Sequence, residues 1–485
     1  MAKSYDRTPK SPDSQPSTDR EAGDSTAQKE VDCWLLRSDF YHGYLPRQDV
    51  GVMLRHHGDF LVRLSEKVKM TKDKQQIRET SNIISVLYDP QDAVESAPMA
   101  ERLKKVKHIL VYHRKGKWYL DASLKFDSAA LLFAHYMNNP IIVNKVSIML
   151  QRGVRLCRWE FFHRNIKVLK VIGRGAYGEV KLAELRRRNG EVLTVAAKTV
   201  SNEGIDSTKK IKDVLKEARI MRGLRHPNIV SLIGVVLIDH PLYIILEYVQ
   251  GGALDVYLRK NFRKVTNDER LRFANGVAWG MEYLHSNNIL HRDLATRNCL
   301  YDGNLYVKIA DFGLSRRGTT YKMKVIQKMP IRYMAPESLS DFLFSQKTDV
   351  YTFGLVIYEI YTCMEPYYDV PNAQVKSTIL SGKLVKLPDS VPSSLADYIR
   401  DKMWNKDPTK RASFSEIARY LESISGFKLT KTAFDELPTV ATDDARSRAP
   451  RKHKHSKVMA RMKNIVESPI EALMEKREER SRKLV

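Results

Sequence analysis

Apolar positions first fall into a pattern near Trp34; before it, Ser, Asp, Thr, Lys and Pro leave almost nothing to bury, so residues 1–32 are expected to be a disordered tail. A turn at Phe40-Tyr41-His42-Gly43 precedes Pro46, which opens a predicted helix through Leu54, and Gly58-Asp59 leads into the apolar strand Phe60-Leu61-Val62. Farther on, glycines between Ile172 and Val180 separate two apolar strand segments. Val195-Ala196-Ala197 is a short strand ending at Lys198, Val214 to Ala218 reads as helix, and Tyr243 to Leu246 as buried strand. Leu271 to His285 has the density of a core helix, and from about Lys428 the pattern lapses, apart from a mixed-charge stretch, Ser468 to Arg482, that suits a helix. The chain's expected units are a tail over 1–32, a domain over 33–150, a linker over 151–165, a second domain over 166–427 and a tail over 428–485.

A length of 485 residues is too much for one core and fits three compact units with tails. The formal charge of +25 suits acidic partners, whether phosphopeptides, phosphoinositide-rich membrane or nucleic acid, without choosing among them. Four cysteines, Cys33, Cys157, Cys299 and Cys363, show neither metal-ligand nor disulfide spacing, which points to a reducing compartment. The start, Met-Ala-Lys-Ser-Tyr-Asp, has no apolar signal region, and Ala2 stands where a myristoyl chain needs glycine. No apolar run nears the roughly 20 residues of a membrane span. A cytoplasmic protein is expected, with any contact at the inner face of the plasma membrane peripheral. Arg446 to Val485 carries 13 Lys or Arg against 5 Asp or Glu, and Arg451 to His455 is its most basic run; it suits acidic lipid, a nuclear signal or simple solvation.

Arg63 directly follows the apolar strand, and Ser65 lies two residues on. A guanidinium on a central strand is costly to bury unless a carboxylate or a strong anion meets it, and phosphate can do so bidentately. The string Phe60 to Ser65 resembles the Phe-Leu-Val-Arg-x-Ser motif of SH2 domains, and the likeness runs from about Phe40 to about Ile148. It implies a central antiparallel sheet flanked by two helices that binds phosphotyrosine-containing proteins. Arg63 would grip the phosphate, Ser65 would donate a hydroxyl, Arg47 would flank the phosphate and ring, and His108 would line the pocket from a later strand. The sequence departs from the family in a charged segment, Lys67 to Asn82, in an extra stretch, Pro90 to Arg102, and in Leu110, where many relatives carry Lys.

The second domain is organised around His291 to Asn298, His-Arg-Asp-Leu-Ala-Thr-Arg-Asn, with Asp311-Phe312-Gly313 downstream. One carboxylate to accept a hydroxyl proton, and an amide oxygen with a second carboxylate to hold magnesium, form the set that phosphoryl transfer needs. The glycines from Ile172 lead from strand to strand, which fits a phosphate-covering hairpin rather than the strand-to-helix turn of a dinucleotide fold. Together these motifs resemble a bilobal protein kinase over about Ile166 to Phe427, and the two resemblances together imply an α+β chain. The resemblance implies ATP under Ile172, Gly173, Arg174, Gly175, Ala176, Tyr177, Gly178 and Val180, with its adenine against Glu247 and Val249 and Leu246 limiting access behind it. It further implies Lys198 on the phosphates, Glu217 holding Lys198, Asp293 as base, and Asn298 and Asp311 as ligands to Mg2+ or Mn2+. Glu337, Arg411 and Asp349 match bracing positions.

Ala295 and Arg297 resemble the Asp-Leu-Ala-x-Arg-Asn form of tyrosine kinases, in which a basic group placed away from the base leaves room for a phenol. Arg297 thus joins the catalytic set. Lys328-Met329-Pro330 agrees, while Thr296 replaces a more usual Ala and Tyr333 a more usual Trp. Tyr321, among Arg316, Arg317, Lys322 and Lys324, is the expected autophosphorylation switch. Domain order, Trp159-Glu160 and the spacing from Tyr321 to Met329 most resemble the Fer/Fps non-receptor tyrosine kinases, in the short build of nematodes. That likeness implies protein substrates bearing tyrosine, and an SH2 domain docked on the upper lobe near Glu217. The rival readings are a phosphotyrosine-binding adaptor whose kinase fold is catalytically silent and a basic nucleic-acid binder; the second lacks a recognition motif, so no specific nucleic acid is expected.

Overall fold

The computed structural model describes residues 33–70, 76–91, 98–175, 178–199, 207–304, 306–324 and 329–430. The expectations for the 1–32 tail, for the basic tail beyond Thr430 with Arg451 to His455 and Ser468 to Arg482, and for Ala176, Tyr177 and Lys328 lie outside the described residues.

In β1 (Asp59–Met70) alternate residues take opposite faces, so Phe60 and Val62 pack one way and Leu61 and Arg63 the other, all buried. β1 pairs antiparallel with β2 (Gln76–Leu87) from Phe60↔Val86 to Met70↔Gln76. The charged segment after Ser65 therefore continues a backbone-paired hairpin. β3 (Val106–Arg114) and β4 (Lys117–Tyr119) complete the antiparallel run. A small hairpin follows, β5 (Ile141–Val143) with β6 (Val146–Ile148). The opposite edge is parallel: β7 (Arg152–Gly153) pairs with β1, so the first sheet extends past the expected boundary at 150.

One face of this sheet closes over Leu35 of α1 (Cys33–Arg37) and Phe133 of α4 (Ala129–Tyr136). On the other, the expected helix from Pro46 to Leu54 is a 3-10 turn, Arg47–Asp49, running into α2 (Val50–Met53). Within the extra stretch, α3 (Met99–Lys105) lies against α2, with Arg102 Nε donating to Gly51 O at 3.0 Å. Among the described residues of this domain, α1 to α4 are four short helices where the resemblance implies two.

The second domain opens with a sheet in the order β11-β12-β10-β9-β8, made of β8 (Ile166–Gly175), β9 (Gly178–Arg186), β10 (Val192–Thr199), β11 (Leu232–Val236) and β12 (Tyr243–Glu247). α5 (Ser207–Met221) packs on it, and α6 (Leu254–Lys260), α7 (Asn267–Ser286), α8 (Pro336–Ser340) and α9 (Gln346–Thr362) lead the helical lower lobe. α7 starts where Thr266 Oγ1 accepts from Glu269 N and Glu269 Oε2 accepts from Thr266 N, a reciprocal cap the apolar pattern did not mark. Every residue of α9 from Thr348 to Tyr361 is buried, so it is a fixed post within the lobe.

The two domains touch through the upper lobe. Gly43 has φ +56°, and a Cβ there would sit 2.0 Å from Leu237 O, so only glycine lets the chains approach this closely. Next to it, Tyr44 N–H donates to Leu237 O at 2.8 Å. Asp49 receives both Nε and Nη2 of Arg219 on α5 at 2.9 Å, and His42 Nδ1 lies 2.8 Å from Glu160 Oε1. Leu61, Val50, Leu54, Trp159, Leu215 and Ala218 belong to one continuous apolar cluster. Trp159, in the segment between the two domains, is a buried member of it.

Candidate active site

Lys198 on β10 and Glu217 on α5 meet across the upper lobe, with Nζ 2.9 and 2.7 Å from the two carboxylate oxygens. Burial pushes the Glu217 carboxyl up and the Lys198 charge opposes it. Asp311 approaches from below, its Oδ1 3.7 Å from Lys198 Nζ, and takes φ +57°, a strained backbone for a non-glycine residue. Gly313 N–H donates to its Oδ1 at 3.3 Å.

The loop bearing Asp293 is pinned from α9. Asp349 accepts the backbone N–H groups of His291 and Arg292, each at 3.0 Å, and lies 3.0 Å from His285 Nε2. Burial works against its charge, but the His285 contact and the Arg292 N–H keep its carboxyl below the usual range. Arg292 takes the left-handed region, φ +69°, with its own amide and that of His291 held this way. Asp293 is itself largely buried, which raises its pKa, and Arg297 Nη2 opposes that at 2.6 Å. Asn298 donates Nδ2 to Asp293 O at 2.7 Å, a bond that does not use its amide oxygen. Among the described residues no three His, Cys, Asp or Glu side chains gather as a metal cluster. Asn298 and Asp311 offer hard oxygen donors that fit Mg2+ or Mn2+ when phosphate and water supply the rest.

The glycine-rich segment is a hairpin, with Gly173↔Val180, Arg174↔Glu179 and Gly175↔Gly178 in register. Arg174 Nε reaches Glu179 Oε1 at 3.1 Å, and Ile172 is exposed above the cleft. Glu247 turns its carboxylate away, to Lys308 Nζ at 2.8 Å and Ser231 N–H at 3.1 Å, and its own N–H donates to Ser231 O at 2.9 Å; Val249 is buried beside it. Glu337 and Arg411 form a buried fork with contacts at 2.6 and 3.0 Å. Tyr321 lies in a short strand, Thr320–Lys322, paired to Leu343–Ser345, with the Arg292 guanidinium 4.5 Å and that of Arg316 5.4 Å from its ring.

A second polar pocket opens on the first sheet. Arg63 is 6% exposed, its Nε donates to Ser85 Oγ at 3.3 Å, and Ser85 Oγ lies 2.9 Å from His108 Nδ1. No carboxylate pairs with Arg63 among the described residues. Burial, then the charge of exposed Arg47, bring the Arg63 pKa down to about 10; burial, then Arg63 and Arg47, bring His108 down to about 4. His108 Nε2 is buried without a partner. Ser65 shares the Arg63 face, and among the described residues its side chain makes no hydrogen bond there. Ser85, opposite His108 and Leu61 in the register, was not anticipated; its one signal in the sequence is a polar residue at an inward position of an apolar strand.

Residues 166–421 match the family model described as protein tyrosine and serine/threonine kinase. The chain is 32% identical over 394 residues to Fer-related kinase 1 of Caenorhabditis elegans, covering 80% of this chain and 94% of that protein. It is 32% identical over 400 residues to the transforming protein Fps of avian sarcoma virus strain PRCII, covering 81% and 69%. To the human tyrosine-protein kinase Fer it is 31% identical over 394 residues, 80% of this chain and 44% of that protein.

Proposed function

The chain belongs to the Fer/Fps-like non-receptor protein tyrosine kinases, and from that membership we propose a division of labour among its residues. It transfers the γ-phosphate of ATP to tyrosine hydroxyls of proteins. The observation that carries our assignment of roles is the Lys198–Glu217 contact at 2.7 Å, formed with Asp311 only 3.7 Å from the same ammonium. In it, three groups that phosphoryl transfer requires, drawn from two lobes, converge on one point.

The Ile172 to Val180 hairpin covers the phosphates, and the backbone of Glu247 to Val249 receives adenine. Lys198, fixed by Glu217, presents its ammonium to the phosphates. Asn298 and Asp311 hold Mg2+ or Mn2+, which neutralises phosphate charge when bound. Asp293 orients the substrate phenol and takes its proton as the new P–O bond forms and the bond to ADP breaks. Arg297 holds the Asp293 carboxylate.

The first domain acts as an SH2 domain that recruits phosphotyrosine-containing proteins; a buried, carboxylate-free Arg63 beside Arg47 and His108 supports this. Its contact with α5 through Asp49 and Arg219 supports a role in steadying Glu217. Phosphorylated Tyr321 would pair with Arg292 and Arg316, which already flank its ring. We assign the kinase to the cytoplasm, with the basic tail meeting acidic lipid at the inner face of the plasma membrane.

The test is transfer from ATP and magnesium to a poly-Glu-Tyr polymer by wild type and Asp293→Asn. Loss of about 10²- to 10⁴-fold in kcat with ATP binding retained is expected. Wild-type turnover in the variant would remove Asp293 from the mechanism.

A further inference from the structure

Arg297 reaches Asp293 at 2.6 Å, yet its side chain is over a third exposed. A recess of about 350 Å3 opens beside it, lined in part by Leu258, Cys363, Met364 and Tyr368. The guanidinium therefore has room to swing away from the carboxylate it serves.

What faces it on the protein side is the ring of Tyr333, 4.6 Å from the guanidinium carbon. That ring is buried and cannot shift freely, because its hydroxyl donates to Glu359 Oε1 at 2.6 Å. Glu359 projects from α9, the buried post of the lobe, and its second oxygen accepts the backbone N–H of Thr296 at 3.0 Å. Thr296 immediately precedes Arg297, so one carboxylate fixes both the backbone that launches the guanidinium and the ring beneath it. A guanidinium on an aromatic face is attracted to the negative face of the ring, the more so when shielded from water.

We propose that Tyr333 and Glu359 are positioning residues for phosphate transfer: they clamp Arg297 on Asp293 and thereby set the direction in which the Asp293 carboxylate meets the substrate hydroxyl. The proposal rests on Asp293 being the base. Burial first, against the bonds from Tyr333 and Thr296, raises the Glu359 carboxyl to about 7, so the clamp is complete only when Glu359 is ionised. Other titratable groups that interact with Tyr333 or Glu359 here are Arg297, Glu365, Cys299 and Tyr358.

The experiment compares kcat, KM for ATP, Tm and the kcat–pH profile of the full chain with poly-Glu-Tyr and ATP, for Tyr333→Phe, Tyr333→Trp, Glu359→Gln and Asp293→Asn. Tyr333→Phe, which keeps the ring and removes its anchor, is expected to lower kcat about tenfold with KM for ATP unchanged. Tyr333→Trp, whose indole N–H can again donate to Glu359, is expected to restore kcat to within about threefold. Wild-type kcat should fall as pH drops through about 7, and Glu359→Gln, which cannot titrate, should move that acid limb to lower pH. Wild-type kcat in Tyr333→Phe would overturn the proposal, as would parallel losses of kcat and Tm without rescue by Trp. An active Asp293→Asn would sink the base assignment and the clamp with it. An inactive Asp293→Asn beside an unaffected Tyr333→Phe would sink the clamp alone.

Discussion

Arg63 in the first sheet and Arg411 in the lower lobe are both removed from solvent, at 6% and 2% exposure, yet their surroundings are opposite. Arg411 is spoken for: Glu337 takes Nη1 and Nη2, Asn405 O accepts Nε at 2.8 Å, Lys347 O accepts Nη1 at 3.0 Å, and the Tyr351 ring lies 5.1 Å beneath. Arg63 donates one long bond, to Ser85, and faces a second cation, Arg47, instead of a carboxylate. Burial alone therefore does not mark a guanidinium as functional. The donors it leaves open do, because a desolvated cation without an anion is costly unless something arrives to meet it.

This contrast is easiest to break at Arg63. Arg63→Met should weaken a phosphotyrosine peptide by at least about 100-fold, since two charge-assisted bonds are worth roughly 1.5–3 kcal/mol each. The same change should leave Tm unchanged or slightly higher, as it removes an unpaired buried charge; calorimetric titration and thermal melts on one preparation decide both. Undiminished peptide affinity would mean the pocket serves another purpose. Arg411→Met should do the reverse, costing about 3–5 kcal/mol of stability by stranding Glu337 while peptide affinity is untouched. Pairing it with Glu337→Leu should recover much of that loss. If Arg411→Met were as stable as wild type, the count of satisfied donors would be a poor guide to structural roles.

What the sequence disclosed follows the same division between local and distant. Phe60-Leu61-Val62 ahead of Arg63 was readable because strand alternation is local, and the Leu271 to His285 helix because its apolar density is. Ser85 was not, since its place opposite His108 depends on a register 23 residues apart in the chain. The β1–β2 hairpin was underestimated for a related reason: backbone pairing leaves no trace in residue type. Motif spacing brought Lys198, Glu217, Asp293 and Asp311 forward as a set. Nothing pointed to Glu359, which meets Tyr333 across 26 residues, or to Asp49 on Arg219 across 170. Buried carboxylates at such contacts look, in sequence, like surface ones.

His42 supplies a case between the two arginines, a buried cation whose charge is conditional. Its Nδ1 lies 2.8 Å from the Glu160 carboxylate and its Nε2 lies 2.9 Å from Val154 O, so both nitrogens face acceptors and only the imidazolium satisfies both. Burial lowers its pKa, but the Glu160 charge and hydrogen bond and the Val154 carbonyl outweigh it, and the net direction is upward. A group whose pKa rises on folding adds stability that is complete below its unfolded value, near 6.5, and is lost as pH climbs through the folded value. Because Glu160 precedes the upper lobe and His42 lies beside Gly43, that stability belongs to the seam between the domains. The expected effect is the smallest of the three: the wild-type Tm drifts downward as pH is raised from about 6 to 9, relative to a His42→Gln variant that cannot titrate. A difference that stayed constant across that range would show that His42 is neutral in the folded chain, and that its two acceptors tolerate a single proton.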